Sequence, residues 1–412
     1  MEFSLPKNIT AIISKLNDNG YTAHVVGGCV RDMVLKKEPK DWDITTNALP
    51  DDVKQIFPKT YDTGIKHGTV TVVFEGMAVE ITTWRRDMDY SDHRRPDKVQ
   101  FSQTLTEDLM RRDFTMNALA YHPYEGLIDP FNGLSDIEAG LIRCVGKPLE
   151  RFSEDALRML RAIRFSAQLG FTVEPDTLQA IKTHHEDLKY VSRERIASEL
   201  NKMLASRYPE RLSLLWETGL GRGIFPSIQT LPPRFPEACK ALTAMTENAA
   251  LFNEGQKRIL LLGLLFVLAF KENAHHHALS LLKDLKYDNA TLDGVRKLIL
   301  AVRDLSNPSA RNIRRALWVY GREAVQQALM LLKVISSNML SVTDPSCLPK
   351  PLVPALTGGA LLKTGEFKGP EIGRTMELLN FCLWERPELN DAQTLILLAQ
   401  SLKRMVYRPS DE

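Results

Sequence analysis

The chain has 412 residues, too many for one compact core at roughly 100 to 200 residues per domain. Its 44% hydrophobic and 25% charged content is ordinary for globular proteins and sets aside the disordered and fibrous classes. A net charge of +2 leaves the partner open, because an RNA-binding protein can gather its basic residues on one face while the total stays near zero.

From the N-terminus, "NITAIISKLNDNG" predicts an amphipathic helix ending at Gly20. Four runs rich in β-branched residues predict strands: "AHVVGG" (23–28), "WDITT" (42–46), "GTVTVVF" (68–74) and "MAVEITTW" (77–84). Glu75-Gly76 predicts a tight hairpin between the last two, and Pro50 opens a helix over "DDVKQIF". To about residue 145 the pattern is α+β, with a small mixed sheet. Beyond about residue 150 it is helical almost throughout, from "EDALRMLRAIRF" through "SRERIASELNKMLAS" and "ARNIRRALWVYG" to "DAQTLILLAQSLKRM". The apolar run "ILLLGLLFVLAF" (259–270) is shorter than the roughly 20 residues of a membrane span and reads as a buried core helix. "HHH" (275–277) reads as a helix-surface run rather than a metal site. Proline clusters at 226–236 and 345–354 punctuate the helices. Cys29, Cys144, Cys239, Cys347 and Cys382 stand singly, so neither a disulfide framework nor a cysteine metal site is expected, and a reducing compartment is. The N-terminus lacks the basic and apolar regions of a signal peptide.

Chemistry concentrates in five places. Asp41 and Asp43 in "KDWDITT" stand two apart on an expected strand, which would project both carboxylates from one face and suit magnesium. Upstream, "VVGGCVRD" gives a strand, a Gly27-Gly28 turn and a helix carrying Arg31, a way for backbone N–H groups to approach an anion. Without the G-K-[ST] of a P-loop, the reading is a metal-bound triphosphate on a different frame. "LMRRDFTMNALAY" sets Arg111, Arg112 and Asp113 at the head of an apolar run. Residues 87–101, crowded with charge of both signs, read as a long functional loop. Finally, in "EDALRMLRAIRF" an expected helix places Asp155 and Arg158 side by side, with Arg161 and Arg164 trailing along one edge.

An aspartate only accepts hydrogen bonds and an arginine only donates them. Cytosine and adenine each offer an amine donor beside a ring-nitrogen acceptor, whereas uracil and guanine offer the reverse. Facing a nucleobase, Asp155 and Arg158 would therefore select C and A; facing solvent, the same spacing is a salt-bridged ridge. Arg161 and Arg164 could hold Asp155, steady the base or reach the triphosphate.

Taken in order, "VVGGCVRDMVLKKEPKDWDITTNALPDDV", "EITTWR", "DYSDHRRPDKVQF", "RRDFTMNALAY", "FSEDALRMLRAIRF" and "SRERIASELNKML" resemble the class II CCA-adding enzymes, the tRNA nucleotidyltransferases, particularly their bacterial forms. "LTGGALLKTGEFKGPEIGRTMELL" is similar to the tail of the same proteins. The resemblance implies an α+β nucleotidyltransferase head (1–145), a helical base-recognition neck (146–225), a helical body (226–340) and a helical, tRNA-binding tail (341–412). It implies Mg2+ on Asp41 and Asp43; nucleotide contacts from Gly28, Arg31 and Arg112; and base reading by Asp155 and Arg158 with Arg161 and Arg164 in support. Glu80 falls where the family carries a third strand carboxylate, and residues 89–95 where it carries the loop that switches from C to A. The implied activity is template-independent CCA addition to the 3′ end of tRNA from CTP and ATP, in the cytoplasm and off the membrane, with a homodimer left open. The alternatives are a poly(A) polymerase, an enzyme adding only CC or only A, or a non-catalytic RNA-binding protein.

Overall fold

The structure, a computed structural model, describes residues 1–88, 98–226, 228, 230–248, 252–270, 274–335, 348–349 and 352–406. The chain divides into two compact units, Met1–Pro232 and Pro233–Glu412.

The first unit begins with α1 (Lys7–Asp18), whose Ile9, Ile12, Ile13 and Leu16 recur at helical spacing and are all buried. Gly20, at φ +82°, turns the chain out of the helix, and its N–H donates to the Asn17 carbonyl. Then come β1 (Ala23–Val26), α2 (Gly28–Val34), β2 (Asp43–Thr46), α3 (Pro50–Ile56), β3 (Thr60–Gly64), β4 (Thr69–Phe74) and β5 (Met77–Thr83). A two-stranded ribbon, β6 (Arg85–Met88) with β7 (Lys98–Phe101), precedes α4 (Leu105–Met110), β8 (Ala120–His122) and β9 (Gly126–Ile128).

The main sheet has seven strands in the order β3-β4-β5-β2-β1-β8-β9. It is mixed: β2 runs parallel to β5, while β1 pairs antiparallel with both β2 and β8. The expected hairpin is present, with Glu75 and Gly76 both at positive φ (46° and 80°) between β4 and β5. Strands β3, β8 and β9 are too short or too polar for β-branched enrichment to announce them. Beneath the sheet, Val26, Leu109, Ala118, Ala120 and Val145 form one buried cluster.

The unit continues through α5 (Gly133–Glu138), β10 (Leu141–Ile142), α6 (Pro148–Glu154), α7 (Leu157–Leu169), β11 (Thr172–Val173), α8 (Pro175–His184), α9 (Arg193–Leu204), α10 (Leu214–Glu217) and α11 (Leu220–Ile224). The short β11 pairs parallel with β10, so sheet structure extends past residue 145. Phe152, Met159, Leu160 and Ile163 are wholly buried, each worth roughly 1.5–3 kcal/mol of transfer free energy.

The second unit is helical among its described residues: α12 (Phe235–Asn248), α13 (Glu254–Ala269), α14 (Ala274–Asp284), α15 (Asn289–Asp304), α16 (Ala310–Tyr320), α17 (Arg322–Ile335), α18 (Gly358–Lys363), α19 (Pro370–Glu385) and α20 (Ala392–Val406). The apolar run expected as a core helix is α13, buried from Leu260 to Phe266 and at Leu268 and opened by an Asn253–Gln256 capping box. No helix among the described residues is long and apolar enough to cross a membrane. The three histidines open α14, where His277 stacks on Phe270 with ring centroids 4.7 Å apart.

Candidate active site

The turn between β1 and α2 is set by Gly27, whose φ of 83° and ψ of −130° lie where only glycine rests easily. A Cβ there would also stand 2.7 Å from Arg112 Nη1, so glycine lets this guanidinium lie against the backbone. Gly28 is less constrained: a Cβ would meet only Arg31 Nη2, at 3.7 Å. Arg31 donates through Nη1 to Asn117 Oδ1 at 2.7 Å, and through Nε and Nη2 to Asp32 Oδ1 at 2.9 and 2.7 Å.

Asp43 opens β2 and stands in register with Glu80 of the parallel β5. Asp41 lies two residues before the strand begins, which corrects the expectation that both aspartates ride on it. Pairing with β5 starts only at Asp43, so the alternation of a strand does not extend back to Asp41. The three carboxylates nevertheless share one electrostatic neighbourhood. Burial pushes the Asp43 carboxyl up from its ordinary value; Arg112 opposes the shift, and the like charges of Glu80 and Asp41 add to it. None of the three accepts a side-chain hydrogen bond or pairs with a cation among the described residues. No group of three or more His, Cys, Asp or Glu side chains there is gathered closely enough to hold a metal by itself. A crowded, unpartnered aspartate pair suits a hard divalent cation that completes its shell with water and phosphate oxygens.

The Arg111-Arg112-Asp113 triplet forms the turn that leaves α4, and the apolar run it heads makes one short 3-10 turn, Thr115–Asn117, before entering β8. Arg112 reaches toward Asp108, with Nη2 3.6 Å from Oδ2, and its buried Nε has no hydrogen-bond partner among the described residues. Asp113 is enclosed: Arg161 Nε and Asn117 Nδ2 donate to its two oxygens at 2.7 and 3.0 Å. Burial opposes its ionisation, but Arg161, the Asn117 hydrogen bond and Arg158 outweigh it and hold the carboxyl down at about 2. Asn117 thereby links Arg31 beside the glycine turn to Asp113 and Arg161.

The helix expected across 154–165 is broken. Helix α6 ends at Glu154, Asp155 is extended (φ −140°, ψ 102°), and α7 begins at Leu157. At the break the Asp155 Oδ1 accepts from the Leu157 N–H at 3.0 Å, an Asx-type turn that leads into α7. Asp155 and Arg158 are therefore not partners on one helical face. Asp155 pairs with Arg195 of α9, Nη2 to Oδ2 at 3.0 Å. Arg158 Nη1 bonds Glu154 Oε2 at 2.7 Å and the Arg151 carbonyl at 3.1 Å, and its Nη2 bonds the Arg111 carbonyl at 2.9 Å. Arg164 pairs with Glu199 at 2.8 Å.

One ring gathers what the spacing of three scattered. The guanidinium carbons of Arg31, Arg161 and Arg164 lie 5.2, 5.4 and 4.1 Å from the centroid of Phe165, which is itself edge-on to Phe114. The sequence reading missed Phe165, Asn117, Asp108, Glu199 and Arg195. The last two lie in "SRERIASEL", where acidic and basic residues inside an apolar pattern were the available signal. Gly28, Arg31, Arg112, Arg158, Arg161 and Arg164 are brought together by these contacts; the expected switching loop, 89–95, lies outside the described residues.

The family described as "Poly A polymerase head domain" matches residues 23–143, and that described as "Probable RNA and SrmB- binding site of polymerase A" matches 170–231. A CCA-adding enzyme of Lactobacillus johnsonii is 52% identical over 225 residues, a match spanning 54% of this chain and 56% of that one, about half of each. One of Pediococcus pentosaceus is 35% identical over 405 residues, 96% of this chain and 97% of that one. Among solved structures, the Bacillus stearothermophilus CCA-adding enzyme in complex with CTP superposes with a TM-score of 0.78 at 31% identity, covering 97% of this chain and 98% of that one. The Thermotoga maritima CCA-adding enzyme complexed with tRNA shares the fold, with a TM-score of 0.65 at 20% identity, 97% of this chain and 96% of that one being covered. With a relative more than 30% identical along nearly its whole length, the chain belongs to the family of CCA-adding enzymes, the tRNA nucleotidyltransferases.

Proposed function

We propose that this protein builds the CCA end of tRNA, adding two C and one A residue from CTP and ATP without a nucleic-acid template. The observation that carries the reading is the chain of contacts from Arg112, packed against the glycine turn beside the start of β2, to Arg31, Asn117, Asp113 and Arg161 of α7.

In this reading Asp41 and Asp43 hold Mg2+, which when bound supplies positive charge at the α-phosphate and favours the ionised form of the attacking hydroxyl. Arg31 and Arg112 bind the phosphates, and the Gly27-Gly28 turn lets them approach the backbone. The RNA 3′ hydroxyl attacks the α-phosphate and pyrophosphate leaves. Asp155 accepts from the exocyclic amine of cytosine or adenine, and Arg158 donates to the neighbouring ring nitrogen. Because Arg158 is bonded to Glu154 and two backbone carbonyls, base reading by it requires one of those bonds to be exchanged for the base. Arg161 and Arg164, fixed by Asp113 and Glu199, support the pair. Residues 146–225 then act as the base-reading part, and the helices beyond 226, the tail over 341–412 included, grip tRNA through its phosphates, with affinity falling as salt rises. The setting is cytoplasmic, where tRNA is matured.

Labelled-nucleotide addition to tRNA transcripts ending before the first C, after CC, and after CCA tests the reading. The expected products gain CCA, A and nothing, respectively. A long A tail would make this a poly(A) polymerase, arrest after CC a partial enzyme, and no magnesium-dependent pyrophosphate release an RNA-binding protein alone.

A further inference from the structure

Asp108 on α4 is completely buried, and the chemistry proposed above does not use it. A buried carboxylate is retained at a cost unless its partners are fixed around it. Its Oδ1 accepts two hydrogen bonds from Arg111, from Nε at 2.9 Å and Nη2 at 2.7 Å. Its Oδ2 accepts from Thr45 Oγ1 at 3.0 Å and lies 3.6 Å from Arg112 Nη2. Thr45 follows Asp43 by two residues on β2, hence on the same side of the strand. One carboxylate thus ties together α4, the catalytic strand and the guanidinium that lies against Gly27.

The charges give this arrangement its meaning. Arg112 lies against Gly27, which follows β1 just where Val25 faces Ile44 of β2, so this guanidinium stands beside the end of β2 that Asp43 opens, with Glu80 in register on the neighbouring strand. A guanidinium and a carboxylate free to meet form a strong bidentate pair. Such a pair would occupy the oxygens that a divalent cation needs. We infer that Asp108 is a positioning residue that holds Arg112 back from Asp41 and Asp43, keeping the two carboxylates open to a cation while Arg112 faces phosphate. The inference rests on the metal reading of those aspartates.

The test is direct Mn2+ binding to the full-length, nucleotide-free protein, followed by electron paramagnetic resonance, with KM for CTP measured alongside. Asp108→Asn is expected to weaken Mn2+ about tenfold, the usual size of an outer-sphere effect, and to raise KM. Adding Arg112→Met to Asp108→Asn removes the competitor, so Mn2+ affinity should return to that of the Arg112→Met single variant; a merely structural role for Asp108 would not be rescued by a second truncation. Arg112→Met alone removes a nearby positive charge and should tighten Mn2+ by less than about tenfold. That arm stands even where Asp108→Asn fails to fold, and binding tightened about tenfold or more in it would overturn the inference, since Arg112 would then already be occupying the carboxylates. Unchanged Mn2+ affinity in Asp108→Asn, or a loss that persists in the double variant, would overturn it too. Retention of Mn2+ by Asp43→Asn would instead remove the metal site itself.

Discussion

The carboxylates at the start of β2 and the arginines of α7 solve one electrostatic problem in opposite ways. Asp43 is half-buried and Asp113 is buried, yet Asp43 is pushed up by desolvation and by its acidic neighbours despite Arg112, while Asp113, wrapped by Arg161 and Asn117, is held at about 2. Along α7 and its junction with α6, Arg158, Arg161 and Arg164 pair with Glu154, Asp113 and Glu199, and Asp155 pairs with Arg195. The arginine side is closed by ion pairs within the chain. The carboxylate side is left in mutual repulsion, which the proposed cation would relieve.

Breaking the carboxylate side should give the largest effect. Asp43→Asn is expected to lower nucleotide incorporation by about 10³-fold or more while tRNA retention on a filter is unchanged, because it removes transition-state charge stabilisation without touching the RNA grip. On the other side, Asp155→Ala should narrow the preference of CTP over UTP in kcat/KM by about 10²-fold, since the amine loses its acceptor and the wrong base loses its penalty. A fall in rate with the preference intact would count against base reading.

Asp113→Asn should cost about 2 kcal/mol in urea unfolding at pH 7. The sign follows from a folded value below the unfolded one: the stabilisation is complete above roughly pH 4 and is lost as pH falls toward about 2. The gap between parent and variant should therefore close over that window. The smallest effect sharpens the contrast. Asp43 has a raised folded value, so its ionised form destabilises the fold as pH rises, and Asp43→Asn should raise the midpoint of thermal unfolding at pH 7 by about 1–3 °C while abolishing activity. A lowered midpoint would show that Asp43 is better compensated than its neighbours indicate.

Much of the head was legible in the residues because its signals are local. The β-branched runs, the Glu75-Gly76 turn and Pro50 at a helix start each report on a few neighbouring residues, and the strands and helix follow them. What depended on distant partners was not legible. Asp41 falls outside β2 because pairing with β5 begins one pleat later, a matter of register. Asp155 was read as one turn of a continuous helix because the apolar spacing runs on through it, although an aspartate just before an apolar run is also a helix-start signal. The convergence of Arg31, Arg161 and Arg164 on Phe165 joins residues more than a hundred positions apart.

Under the proposed function, the interruption between α6 and α7 bears on how one site would recognise both a pyrimidine and a purine. The reading edges of cytosine and adenine lie at different distances from the sugar, so a rigidly mounted acceptor could suit one of them only. Held by the Leu157 N–H and by Arg195, Asp155 on its extended link would turn toward a base only by giving up one of those bonds, a change that leaves both flanking helices wound.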